Sequence, residues 1–317
     1  MLTGFALVIA ASLFQGSFIL PMTLVRKWRW EQTWITFSIL GMVLFNWALG
    51  LLGVTNLLPV LASMPMRSAV ILALLGAGWG VGAILFGLAM DRLGMSLGYP
   101  IIMGLIAGLG ALIPMALFFP GSLLAAKGIV LLAAIVLAVV GIVFCSIGGA
   151  RRQPTGHSRG VDTVGLLIAV LAGVLSCLPN VGLSFAGKLP SNVVWVVLFT
   201  AGGLVNAAYC VWLIVMRGPG PRFFSTEAPR NLMLSATMAA LWIGSFYLYG
   251  NGASRLGAWG VLAGWPLFIT LSIMAGVMWG LYKGEWNGAP AGATRARNLG
   301  VAGLFLAVAA VASSNFF

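Results

Sequence analysis

The sequence carries five carboxylates, Glu31, Asp91, Asp162, Glu227 and Glu285, and a single histidine, His157. Acyl or phosphoryl transfer needs a general base or metal ligands gathered at one site. His157 stands with Arg151, Arg152, Arg159 and Asp162 in GARRQPTGHSRGVDT, a stretch punctuated by Gly and Pro that reads as a solvated loop. Cys145, Cys177 and Cys210 sit in apolar segments with no CxxC pair and no neighbouring histidine. They read as small hydrophobes, neither a metal set nor a disulfide framework. No catalytic residue, metal site or cofactor is expected, and the chain is not read as an enzyme.

The remaining chemistry open to the carboxylates is proton carriage, for which acids inside membrane spans are the usual signature. Here every acid falls in a loop or at the end of an apolar run. Glu31, Asp91 and Glu285 are the proton-coupling candidates, and ion pairing with neighbouring Lys and Arg is the plainer role for each. Glu31 stands out within VRKWRWEQTW as one acid among three bases. Inside the apolar runs the polar groups are neutral. Gln15, Asn46, Asn180 and Asn206, with the aromatic residues Trp79, Trp242, Tyr249 and Trp265, are the candidate contacts to an uncharged, hydroxyl-rich small molecule. Buried amides demand partners, and aromatic faces pack on the C–H surface of a sugar. The competing roles are interhelical hydrogen bonding for the amides and an interfacial aromatic belt for Trp and Tyr near span ends.

These residues must be held by a bilayer-spanning scaffold. Of 317 residues, 61% are hydrophobic and 7% charged, with mean hydropathy +1.07. A soluble domain carries roughly 25% charged residues. The net charge of +12 comes from basic residues scattered between apolar runs, which argues against a nucleic-acid surface. A helix needs about 20 apolar residues to cross the hydrocarbon core. Ten such runs are present: 2–24, 34–58, 68–90, 97–119, 128–149, 164–186, 193–216, 231–250, 258–282 and 298–316. The first lacks the basic leader of a secretory signal and reads as an uncleaved span. In VRKWRWEQTW the bases flank the second span, and Trp28, Trp30 and Trp34 are expected at headgroup depth.

Loops after odd-numbered spans hold thirteen basic residues: Arg26, Lys27, Arg29, Arg92, Arg151, Arg152, Arg159, Arg217, Arg222, Arg230, Lys283, Arg295 and Arg297. The opposite side holds four: Arg67, Lys127, Lys188 and Arg255. The positive-inside rule places the thirteen in the cytoplasm and both termini on the non-cytoplasmic side of a bacterial-type inner membrane.

Five spans on each side of the Gly149–Thr163 loop must enter the membrane in opposite senses, because five is odd. The expected organisation is a first repeat at 1–149, a cytoplasmic linker at 150–163 and a second repeat at 164–317, an inverted-repeat plan that recurs among transporters. Asp91-Arg92-Leu93-Gly94 before the fourth span is echoed by Ser254-Arg255-Leu256-Gly257 before the ninth. In the third span Gly76, Gly80, Ala83 and Gly87 form a small-residue stripe that suits close helix packing, with Trp79 off it. Pro21, Pro100, Pro114 and Pro266 mark kinks within or at the ends of spans.

Several stretches resemble the L-rhamnose–proton symporter family of the drug/metabolite transporter superfamily. They are KWRWE with Trp34 beyond it, GAGWGVG followed by FGLAMDRLGMSLG at 86–98, and GEWN at 284–287. Pro21, Trp47, Asn206, Trp242, Tyr249 and Trp265 also fall in the shared pattern, so the resemblance runs from about residue 4 to residue 290. It implies ten helices in two inverted five-helix repeats, a sugar site near the midplane, and alternating access coupled to proton entry, with Glu31 and Glu285 favoured for coupling. The chain departs from the pattern at Ala83 and Leu85, where paired asparagines are usual, and at Trp259-Gly260-Val261, where an acid is usual. The expected function is uptake of a small neutral sugar, L-rhamnose-like, with a proton. Export or exchange of another metabolite without proton coupling is the alternative.

Overall fold

The computed structural model describes residues 2–122, 124–152, 163–218, 223, 226–284 and 286–313, and for 90, 91, 94–97, 99, 100, 122, 127, 152 and 311–313 the backbone alone. Among the described residues every regular element is a helix. Hydrocarbon offers backbone groups no partners, so an apolar run must satisfy its own N–H and C=O groups.

Helix α1 (Leu2–Ser17) gives way to a 3₁₀ turn, Pro21–Leu24, with Pro21 at its first position. Helix α2 (Trp30–Phe37) begins where the Gln32 side-chain oxygen accepts the Arg29 N–H at 2.9 Å. It continues without a break into a π-helical segment, Ser38–Phe45, and then α3 (Asn46–Gly53), together one 24-residue crossing. Helix α4 (Leu57–Ala62) is a short connector.

Helix α5 (Met66–Phe118) keeps helical backbone where a loop between the third and fourth spans is expected from the sequence. It contains two crossings, Met66–Ala89 and Ile101–Phe118. In a straight helix Gly78 and Gly110 would stand about 48 Å apart. Yet a Cβ on Gly78 would lie 2.8 Å from Leu178, while the Gly110 carbonyl accepts a hydrogen bond from Asn180 at 2.6 Å. The chain therefore reverses between them. The charges of the intervening segment ride on helical backbone.

Helix α6 (Ala126–Arg152) is followed by α7 (Thr163–Ser176) and α8 (Leu178–Ala186), a crossing interrupted at Cys177 with Pro179 opening its second part. Helices α9 (Ser191–Met216) and α10 (Ala228–Leu256) are unbroken. Gly257, at φ +65°, turns the chain into α11 (Ala258–Leu262), and α12 (Gly264–Tyr282) follows. Pro266 falls in the first turn of α12, where its missing N–H leaves no helical bond unmade. It starts a helix, where the sequence suggests a kink within one. Nine segments among the described residues are long and apolar enough to cross a membrane. Helix α13 (Ala291–Ser313), which covers the last expected span as far as residue 313, lies along α6. Leu74, Val136, Leu167, Val215 and Phe305 are all more than half exposed. Apolar exposure on this scale suits lipid and not water. The chain is a multi-pass membrane protein.

Small residues set the helix contacts. A Cβ on Gly4 of α1 would lie 3.1 Å from the Gly252 carbonyl of α10, and one on Gly16 would strike Ser272 and Ala275 of α12. The third crossing meets α7 and α8 in the same way, a Cβ on Gly82 lying 2.8 Å from Leu175, and Gly173 of α7 meets Leu105 and Ile102 of the fourth crossing. Gly41 of the π segment packs on Ala239 of α10, and Gly80 on Gly202 of α9. Gly141 of α6 faces the Gly300 carbonyl and Leu304 of α13 at 2.9 Å. Of the sequence stripe, Gly76 and Gly80 hold α9, whereas Gly87 meets only the Trp30 ring, at 3.9 Å.

Candidate functional site

The centre of the bundle is aromatic. Trp242, the middle residue of α10, stacks on Trp79 with ring centroids 5.5 Å apart and planes 23° apart. Phe199 meets both at 4.9 and 5.2 Å, and Phe37 meets Trp242 edge-on at 5.5 Å. The contacts extend through Phe246, at 5.2 Å from Trp242, to Phe268 at 5.9 Å and on to Tyr249 and Trp265. In the other direction Phe37 leads to Trp34 at 5.1 Å and Trp34 to Trp30 at 5.2 Å. One continuous file of rings thus runs from the start of α2 to the start of α12. Such pairs gain roughly 0.5–1.5 kcal/mol beyond their burial and hold fixed mutual angles. Their faces present apolar, polarisable surface with few hydrogen-bonding groups.

The candidate amides are largely occupied by the protein itself. Asn46 donates to Met42 O and Trp195 O at 3.1 and 3.0 Å and accepts from the Tyr247 hydroxyl at 3.0 Å. Asn180 donates to Gly110 O and Val261 O at 2.6 and 2.8 Å and accepts from the Tyr249 hydroxyl at 2.5 Å. Asn206 donates to Gly202 O at 2.9 Å and Gly80 O at 3.3 Å, and accepts from Trp34 Nε1–H at 2.8 Å. All three are fully buried. Each ties at least two helices together where a side chain would otherwise leave backbone carbonyls of broken or closely packed helices without donors. Trp265 likewise spends its indole N–H on Ile106 O at 2.8 Å. Gln15 differs. Its carbonyl accepts from Ser245 at 2.7 Å, and it is only partly buried, on the same face of α1 as fully buried Val8, Ala11 and Ser12.

Trp34, expected at headgroup depth as the second span begins, turns toward the protein. Its ring lies among Trp30 and Phe37 and its N–H is spent on Asn206, so it faces inward. The indole of Trp28 packs on Phe223 at 5.5 Å. The loop before α2 is pinned by Asn231 of α10, which accepts from the Arg26 N–H at 3.2 Å and donates to the Arg26 carbonyl at 2.8 Å. Lys27, between them in sequence, is held at φ +61°.

Glu31 is the one charged side chain that is buried among the described residues, at 1% exposure. Its nearest cation is not a chain neighbour: Arg217 Nη1, at the end of α9, donates to Oε2 at 3.1 Å. Arg29 Nη1 stands 3.8 Å from Oε1, which has no hydrogen-bond partner. Arg29, Glu31, Gln32, Ile214 and Gly218 line a small cleft at this end of the bundle. Burying a carboxylate costs several kcal/mol unless it is paired and hydrogen-bonded, and here only half of it is. The side chains of Asp91 and Glu285 lie outside the described residues, as do His157 and Asp162. No cluster of three or more metal-binding side chains occurs among the described residues.

The structure thus gathers Trp79 and Trp242 at one place, Tyr249, Trp265 and Asn180 at a second, and Glu31 at a third. Sequence reasoning missed Phe37, Phe199, Phe246 and Phe268, which close the ring file, because a phenylalanine in an apolar run carries no signal of facing. It also missed Arg217 as the partner of Glu31, and Asn231 as the clamp on the first loop.

Comparison with known proteins places this arrangement in a family. Residues 2–314 match the family model described as L-rhamnose-proton symport protein. A protein of Shigella dysenteriae serotype 1 (strain Sd197) named L-rhamnose-proton symporter is 27% identical over 299 residues, 86% of each chain. A protein of the same name from Escherichia coli (strain SMS-3-5 / SECEC) is also 27% identical over 299 residues, again 86% of each chain. These relatives are named as transporters and not as enzymes. With nearly its whole length matched, the chain belongs to the L-rhamnose-proton symport protein family.

Proposed function

We propose that the protein takes up a small neutral sugar, L-rhamnose-like, together with a proton, across a bacterial inner membrane by alternating access. The family match over residues 2–314 carries this reading. The structure supports it at two points. Trp79 and Trp242 give the bundle centre a pair of ring faces suited to a sugar's C–H surface, and the Gln15 amide stands beside α10 with donors to offer a hydroxyl. Asn46, Asn180, Asn206, Tyr249 and Trp265 act behind them, holding the helices that shape the site. Glu31 is the carboxylate for the proton; Asp91 and Glu285 are the other two candidates.

The scaffold in this reading is ten helices in two inverted repeats, 1–149 and 164–317, joined by a cytoplasmic linker at 150–163, with both termini outside the cytoplasm. The packing favours it. If each span is exchanged for the one five places along, the contact of α1 with α10 becomes that of the third crossing with α7 and α8. The contact of α1 with α12 becomes that of the fourth crossing with α7, and the contact of Gly41 with Ala239 becomes that of Gly80 with Gly202. Inverted repeats of this kind place the substrate at the interface between halves.

The test is uptake of labelled sugars by cells carrying the protein, with external pH recorded, and thermal unfolding of the purified protein against a panel of monosaccharides. L-Rhamnose or a near relative is expected to raise the unfolding temperature, because a ligand bound only by the folded state stabilises it. Gln15→Leu is expected to diminish that rise while leaving the sugar-free protein folded. Uptake is expected to make the medium more alkaline. Sugar uptake with no pH change would leave the exchanger and remove the proton. No thermal response and no uptake with any sugar would remove the sugar itself.

A further inference from the structure

We infer that Arg217 is the positioning residue that links proton binding at Glu31 to separation of α2 from α9. The inference rests on the proton-coupled reading above and names the partner through which it works. Glu31 and Arg217 are unequal partners. The carboxylate is at 1% exposure, whereas Arg217 is 55% exposed at the end of α9. Arg217 supplies a hydrogen bond to Oε2, and Arg29 lies at 3.8 Å from an Oε1 that no donor meets. A guanidinium keeps its proton throughout. Withdrawal of Arg217 into water leaves the buried carboxylate without that hydrogen bond, and a proton taken up from the solvent would neutralise it. Conversely, protonation of Glu31 removes the charge that holds Arg217. Engagement of Arg217 and protonation of Glu31 oppose each other, so one equilibrium governs both.

The surroundings let that equilibrium act on the helices. The groups facing Glu31 are Arg29 before α2, and Arg217 with the Cys210 thiol on α9. On α10, Arg230 and Glu227 are engaged with each other at 3.8 Å. One turn after Glu31, Trp34 donates its N–H to Asn206 of α9. Side-chain links of two kinds thus join α2 to α9 near this end, one ionic and one neutral. The π-helical segment Ser38–Phe45 follows at once. π-helical turns concentrate at functional sites and are less tightly bonded than α-helix, which suits a segment where the upstream part of the span moves relative to the part bearing Asn46. An ion pair serving only as an anchor has little need of a buried carboxylate, since apolar side chains of similar volume do as well or better.

The test compares wild type, Arg217→Gln, Arg217→Lys, Glu31→Gln and the Arg217→Gln/Glu31→Gln double variant. It measures pH profiles of sugar uptake in vesicles, sugar counterflow, and the amount of folded protein in the membrane. Arg217→Gln takes away the cation that holds the carboxylate, so it is expected to change the pH profile of uptake, with counterflow retained. Arg217→Lys is expected to lie near wild type, and the double variant to match Glu31→Gln alone. If Arg217→Gln lowers uptake by the same factor at every pH, or if its effect persists undiminished in the Glu31→Gln background, the inference is overturned. Wild-type protein that exchanges no sugar refutes the transport reading instead, which keeps the two failures distinct.

Discussion

Asn180→Ala discriminates between an amide that binds substrate and one that holds the fold. The change removes two donated bonds, to Gly110 and Val261, and the acceptor of the Tyr249 hydroxyl. Interhelical side-chain hydrogen bonds in membranes average about 0.6 kcal/mol, so three amount to about 2 kcal/mol. The Tyr249 hydroxyl is then left with Gly260 O at 3.4 Å. An unsatisfied buried group adds about 1–3 kcal/mol. A loss of about 3 kcal/mol is expected in the sugar-free protein, measured by reversible denaturation in mixed micelles. Tyr249→Phe, which removes the same hydrogen bond from the donor side, is expected to cost about 1 kcal/mol. The double variant should lose less than the sum of the two singles, because one bond is counted in both. A sugar-free stability within about 0.5 kcal/mol of wild type would refute the clamp. If the sugar-induced thermal shift also vanished, Asn180 would be a substrate contact after all.

Two further changes probe the packing and the first loop. Gly80→Leu should sharply lower the yield of folded protein in the membrane, because a Cβ there already lies 2.7 Å from the Gly202 carbonyl and a longer side chain must drive α5 from α9; Gly87→Leu, where only the Trp30 ring comes within 4 Å, is the control and should be tolerated. Lys27→Gly should raise thermal stability by about 1 kcal/mol, since a left-handed backbone costs a side-chain-bearing residue roughly 1–2 kcal/mol and Lys27 sits at φ +61°.

Most of the scaffold could be read from the chain because a bilayer imposes one coarse requirement, an apolar run of sufficient length, and composition reports it directly. The crossings at Ser191–Met216 and Ala258–Tyr282 lie within two residues of the runs expected from the sequence. What composition does not report is rotation about the helix axis. Asn46, Asn180 and Asn206 were rightly singled out as buried amides in need of partners. That their partners include carbonyls of Trp195, Gly110 and Gly80 follows from which helix lies opposite, and a contact between positions 149 residues apart leaves no local trace. The same limit explains Trp34. Position near a span end suggested an interfacial ring, and the neighbouring Asn206 on α9 turned it inward.

The segment joining the third and fourth crossings was read as a loop because charge and glycine cluster there, yet charge at headgroup depth is no obstacle to helical backbone, and α5 continues through it. Glu31 shows the converse. Its surplus was legible in VRKWRWEQTW, since bases and tryptophans suffice to orient a span end and an acid weakens that effect. Local pairing with Arg29 would have accounted for it on the surface. The fold instead buries the carboxylate and hydrogen-bonds it to a residue 186 positions away. A helix can carry an acid in its first turn at a profit of about 0.3–1 kcal/mol from the backbone dipole, but that gain is available at an exposed site too. Burial adds only cost to such an acid, so the helix terminus does not explain why Glu31 is inside. The proton-coupling role proposed for Glu31 would account for that cost, since a carboxylate held out of water depends wholly on its partners.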